Sequence, residues 1–129
     1  MWNLGSLEAE VMDLIWSATG PVSVRDVTGQ INASRARPLA YTTVMTTMFK
    51  LFRKGWLERD KRGKQFVYAP VEARDACVAR LMTQVLGNSA DPEVALLHFV
   101  EGLGTERSTA LRSALHRLPD SAVPESDLP

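Results

Sequence analysis

Two strand-like runs, LERDK and QFVYA, flank the dipeptide Arg62-Gly63 in a chain otherwise patterned for helices. They constrain the fold more than any other feature: a mainly α architecture must carry one small two-stranded β-hairpin. The hairpin has a basic tip and is closed by Pro70.

Spacing and punctuation place the helices. Leu4, Leu7, Val11, Leu14 and Ile15 recur at helical intervals, predicting a helix from Ser6 to Ser17 stopped by Gly20-Pro21. Glu8 and Glu10 sit near its start, where the helix dipole favours acids. Ser23-Val24-Arg25-Asp26 has the form of a capping box, with Asp in place of the usual Glu, and Val24, Val27 and Ile31 follow as one apolar stripe. NASRARPLA is a loop, broken by Pro38. A third helix covers YTTVMTTMFKLFRK and ends near Gly55. Beyond the hairpin, a fourth helix is expected from Glu72 to Leu86 and a fifth from the Asp91-Pro92-Glu93 start signal to Gly102. A sixth is expected to be capped by Thr105 and stopped by Pro119. The polar, Pro-rich residues 119–129 are expected to be a disordered tail.

The third helix raises a question, because it holds four threonines although Thr is a poor helix former. On a wheel of about 100° per residue, Tyr41, Val44, Met45, Met48, Phe49, Leu51 and Phe52 gather on one side. Thr42, Thr43, Thr46, Thr47, Lys50, Arg53 and Lys54 fall within an arc of roughly 140° on the other. That polar face contains no acid. A solvated face usually mixes Glu with Lys, since such pairs at four-residue spacing stabilise a helix. Short hydroxyls followed by cations suit a DNA recognition helix: hydroxyls bond base edges or phosphates, Thr methyls touch thymine methyls, and cations neutralise phosphates. Taken alone, the helix equally fits threonines that merely cap and solvate it. The order helix, helix, basic Thr-rich helix, basic-tipped hairpin favours a winged helix-turn-helix domain.

Charge distribution agrees. Net charge is zero over 129 residues. Yet from Ala33 to Tyr68 the cations Arg35, Arg37, Lys50, Arg53, Lys54, Arg59, Lys61, Arg62 and Lys64 face only Glu58 and Asp60, whereas the chain from Ser89 onward is acidic. No apolar run approaches the roughly 18 residues of a membrane span, and the start lacks the basic region of a secretion signal, so a cytoplasmic protein without direct membrane binding is expected. The single Cys77 allows no internal disulfide. There is no glycine-rich phosphate loop, nucleophile elbow or metal-ligand spacing, so neither an enzyme, a metal site nor a cofactor is expected.

The string AYTTVMTTMFKLFRKGWLERDKRGKQFVYAPV, with LGSLEAEVMDLIW and VSVRDV before it and HFVEGLGTERSTALRSAL after it, resembles the penicillinase-repressor family of bacterial winged-helix transcriptional repressors. The resemblance spans residues 4 to 118. It implies a homodimeric, sequence-specific repressor of dyad-symmetric operators, as in antibiotic-resistance or stress operons. Thr42, Thr43 and Thr46 would contact DNA, with Met45 against a base or sugar. Lys50, Arg53, Lys54, Arg62 and Lys64 would supply the cations, Arg62 and Lys64 from the wing. The DNA-binding domain would occupy residues 1–71 and a helical dimerisation region residues 72–118. Leu81, Val85, Leu97, Phe99 and Val100 belong to an apolar set larger than three short helices bury alone, for which a twofold interface is the natural sink.

In the β-lactam-responsive members a membrane-bound zinc-protease sensor triggers cleavage within the dimerisation region, at an Asn-Phe pair. The matching pair here is His98-Phe99, a departure that puts induction by the same enzyme in doubt. The copper-responsive branch carries a C-terminal cysteine cluster that this chain lacks. His98 itself is read as an interface histidine rather than a metal ligand. Two other readings stay open: release by a small molecule in the dimer cleft, and a winged helix used for protein assembly.

Overall fold

The computed structural model describes residues 3–119; the expected tail, from residue 120 on, lies outside them. The element order is α1 (Ser6–Ser17), β1 (Val22–Ser23), α2 (Val24–Asn32), α3 (Tyr41–Arg53), β2 (Leu57–Arg62), β3 (Gln65–Pro70), α4 (Arg74–Leu86), α5 (Pro92–Glu101) and α6 (Gly104–Arg117).

Local chemistry sets most of these boundaries. At the start of α2 the Asp26 amide donates to the Ser23 hydroxyl at 3.1 Å and the Ser23 amide donates to the Asp26 carboxylate at 3.0 Å, the reciprocal pair of a capping box. Those bonds hold the Asp26 carboxyl below its ordinary pKa, the Ser23 backbone N–H contributing most. The loop from α2 to α3 is closed by Asn32: its amide nitrogen donates to the Leu39 carbonyl at 3.0 Å, and its oxygen accepts from the Leu39 amide at 2.8 Å. A single side chain thereby fixes where α3 begins. At the other end of α3 the Gly55 amide donates to Phe52 O and the Trp56 amide to Leu51 O. This is a Schellman turn, and Gly55 supplies its left-handed residue at φ +85°.

The sheet departs from expectation. It has three antiparallel strands in the order β1-β3-β2, not two, because Val22 and Ser23 pair with Tyr68 and Val67. The hairpin turn is Gly63-Lys64, and Arg62, expected at the tip, is the last residue of β2, paired with Gln65. Two-residue hairpins need a positive φ at their first central position, and Gly63 provides it.

One core joins these elements. Val11, Met12 and Ile15 of α1, Val24, Val27 and Ile31 of α2, Val44, Met48 and Leu51 of α3, Leu57 and Tyr68 are buried together. Trp16 and Trp56 pack partly buried against it, edge to face with ring centres 6.2 Å apart. Three apolar helix stripes and one sheet face are sealed in the same volume, which fixes α3 on its support.

The described residues divide into two compact units, one ending at Thr83 and the next beginning at Gln84. The start of α4 goes with the first unit rather than separating at residue 71. Trp16 Nε1 donates to the Glu72 carbonyl at 3.1 Å, Arg74 pairs with Asp13, and Cys77 is buried. The helix begins at Arg74, two residues later than the expected Glu72. In the second unit α6 is capped at Leu103, so Thr105 lies inside the helix, its carbonyl accepting from the Thr109 hydroxyl. Neither α5 nor α6 has a buried residue. No helix among the described residues is long and apolar enough to cross a membrane.

Candidate nucleic-acid interface

The placement of α3 answers the threonine question in two ways. Thr47 faces inward: it is 8% exposed, and its hydroxyl donates to the Thr43 carbonyl at 2.9 Å, so a polar group enters the core already satisfied. Thr42, Thr43 and Thr46 are exposed. The buried face of α3 is Val44, Thr47, Met48 and Leu51. It is rotated from the expected one, and the row Tyr41, Met45, Phe49 is turned out. The reason is tertiary, since the three supporting helix and sheet surfaces meet one side of α3 and leave the row beside the hairpin uncovered.

That row and the hairpin form the walls of a groove of about 460 Å³, lined by Tyr41, Met45, Thr46 and Phe49 on one side and by Arg59, Lys64, Phe66 and Tyr68 on the other. Strand alternation explains why the acids of the hairpin stay out of it. Leu57, Arg59 and Lys61 share one face of β2 with their partners Tyr68 and Phe66, and Glu58, Asp60 and Arg62 share the opposite face. Arg62, expected beside Lys64 as a second phosphate clamp, therefore lies on the acidic face and not in the groove.

The other expected contacts separate by availability. Lys50 and Arg53 are exposed in the last turn of α3, Arg53 with its guanidinium 5.8 Å from the Phe49 ring centre. Lys54 is already engaged: its ammonium donates to Glu8 Oε1 at 2.8 Å and to the Asn3 carbonyl at 3.2 Å. Arg35 of the loop is likewise held by Glu10 at 2.7 Å. Two acids of α1 thus bind two cations of the basic stretch, a pairing between residues 25 and 46 positions apart that no local pattern could reveal. At its start α3 has no side-chain cap and no acid in its first turn, so its positive dipole end is not neutralised locally.

The residues that sequence reasoning did not select are Tyr41, Phe49, Phe66 and Arg59. Periodicity puts the first two on the apolar side of α3, and the exposure of Phe66 follows from the register of the hairpin.

In the second unit Leu97 is 58% exposed, with Val85, Phe99 and Val100 between 42% and 48%. Leu81, on the part of α4 that belongs to the first unit, is half-buried. His98 is exposed near the C-terminal end of α5, and His98-Phe99 lies wholly within that helix. Among the described residues no group of three or more His, Cys, Asp or Glu side chains could hold a metal ion.

Comparisons with known proteins place this geometry. The model of the penicillinase repressor family matches residues 4–117. Two curated relatives, the transcriptional regulators BlaI of Mycobacterium tuberculosis strains CDC 1551 / Oshkosh and ATCC 25618 / H37Rv, are each 43% identical over 119 residues, covering 90% of this chain and 85% of theirs. Among solved structures, the complex structure of hsRosR-S4 superposes with a TM-score of 0.53 at 13% identity, over 85% of this chain and 94% of that one. The solution structure of the DNA binding domain of the repressor BlaI matches at 26% identity and a TM-score of 0.49, over 56% of this chain and 84% of that domain.

Proposed function

Because this chain belongs to the penicillinase repressor family, a family of transcriptional regulators rather than enzymes, we infer that it represses transcription as a homodimer bound to a dyad-symmetric operator. The observation that carries the reading is the surface of α3 beside the hairpin. Exposed Thr42, Thr43 and Thr46 adjoin Lys50 and Arg53, and no acid lies on that helix. Entering a major groove, the hydroxyls and Met45 would meet base edges and thymine methyls. Lys50, Arg53 and Lys64 would bind phosphates. The protein would work in the cytoplasm, where the operator is.

The second unit supplies the reason for a dimer. Two helices without a buried residue and with Leu97, Phe99 and Val100 in the open do not form a core alone. A twofold copy would cover them and set two DNA-binding heads at half-sites about one helical turn apart. If relief is proteolytic, the cut falls at or beside His98-Phe99 in this unit, by a sensor protease whose pocket accepts His in place of Asn; release by a small molecule in the dimer cleft is the alternative.

Mobility shifts on the DNA upstream of the protein's own gene test the reading, against a shuffled duplex of equal length. Preference for the natural fragment supports it. Equal binding to both would contradict sequence-specific repression.

A further inference from the structure

Arg59 stands at the back of the groove between α3 and the hairpin, and its surroundings are unusual for a surface cation. Its guanidinium carbon lies 4.0 Å from the ring centre of Phe66, 4.3 Å from Phe52 and 5.4 Å from Phe49. Two of these rings come from α3 and one from β3, so one side chain ties the helix to the hairpin. None of the ion pairs among the described residues involves Arg59, whereas Arg35, Lys54, Arg74 and Arg80 each have a carboxylate partner. Rings engage the faces of a guanidinium, and the N–H donors point outward in its plane. The result is a half-buried cation beside three aromatic rings, with no carboxylate among the described residues in ion-pair contact with it. It opens into the groove that Thr46 and Lys64 also line.

We propose that Arg59 binds a backbone phosphate of the DNA strand lying between α3 and the hairpin, its guanidinium pre-oriented by Phe49, Phe52 and Phe66. Such holding removes part of the side-chain entropy cost that a free Arg meets on contact. The same contacts join α3 to the hairpin, so a phosphate bound there would bear on both elements at once. This inference rests on the reading of the chain as a DNA-binding protein.

The test measures binding to a mixed-sequence duplex of about four helical turns, as a function of salt, for the wild type, Arg59→Gln and Arg59→Lys. Gln keeps a planar group among the rings and removes the charge. R59Q is expected to bind every sequence more weakly and to flatten the log–log salt slope by about 0.9 for each bound protomer. R59K keeps the charge and loses the planar guanidinium among the rings, so its slope should match the wild type while its affinity falls several-fold. Should R59Q not fold, Arg59→Met is read in the same way. A wild-type slope and affinity in R59Q would overturn the proposal and leave Arg59 a strut between helix and hairpin. A wild type without salt-dependent binding would instead overturn the DNA-binding reading beneath it.

Discussion

Lys54 Nζ donates to Glu8 Oε1 across 2.8 Å, joining the end of α3 to the first turn of α1. The same oxygen accepts from the Gly5 amide at 2.9 Å, and Oε2 is buried without a partner. Lys54, expected from the sequence to hold a phosphate, is held as a structural tie between the two helices.

That tie has a pH signature. The Lys54 hydrogen bond, followed by that of Gly5, holds the Glu8 carboxyl below its ordinary value. A depressed folded-state pKa gives stability that is present above the unfolded value and lost as the pH falls through the folded one. The window therefore lies below about pH 4.3, where an unperturbed glutamate titrates. Glu8→Gln should lower stability near neutrality by no more than about 1 kcal/mol, since Lys54 is partly solvated, and should flatten the acid limb of the curve. Urea unfolding between acid and neutral pH checks it; an acid limb as steep as the wild type's would remove Glu8 from that dependence.

Neighbouring threonines should behave oppositely. Thr47→Val replaces a hydroxyl that bonds only its own helix, and it should shift stability by less than about 1 kcal/mol and leave DNA preference unchanged. Thr46→Val keeps the shape of an exposed side chain and removes its hydroxyl, so operator preference should change at constant stability. Thermal unfolding together with binding to a panel of single-base operator variants separates the two. An unchanged preference in T46V would exclude Thr46 from base readout.

These two residues also mark how far the sequence carries. Chemistry confined to a few neighbouring residues was legible: the Ser6–Ser17 helix, the Ser23-Asp26 box, the Asp91 cap, and the hairpin between Leu57 and Pro70. What escaped depends on partners far along the chain. Strand β1 is two residues long and exists only because β3 offers Tyr68 and Val67 to pair with. A helical wheel gave a polar arc containing Thr47, and packing turned that residue inward while turning Met45 and Phe49 out. Counting charges overstated the free cations, because Glu8 and Glu10 of α1 engage Lys54 and Arg35. Arg59 was visible only as one basic residue among nine from Ala33 to Tyr68; its three aromatic neighbours are tertiary.

Leu97→Glu should split the dimer without unfolding the protomer. Its side chain is already 58% exposed, so a single chain tolerates the carboxylate, whereas a twofold interface would bury it unpaired. Sedimentation velocity at micromolar concentration should show the wild type as a dimer and L97E as a monomer with wild-type helicity. A dimeric L97E would place the interface elsewhere.

His98-Phe99 lies inside α5, so a protease that binds extended substrate must first open that helix locally. His98→Asn restores the amide found in the family's cut site, which a pocket built to bond an amide requires. Mass spectrometry after incubation with a family sensor protease should find the wild type intact and H98N cut. Efficient cleavage of the wild type at this bond would deprive the His98 departure of regulatory meaning.

The central claim is that the basic face of α3 and the hairpin turn grip operator DNA twice per dimer. The salt dependence of binding to the fragment upstream of the protein's own gene tests it most directly, measured for the wild type and Lys64→Ala. Two copies each of Lys50, Arg53 and Lys64 predict a log–log slope of at least about −5, and K64A should bring it closer to zero by about 1.8. A slope near zero, or a steep slope that K64A leaves unaltered, would contradict the account.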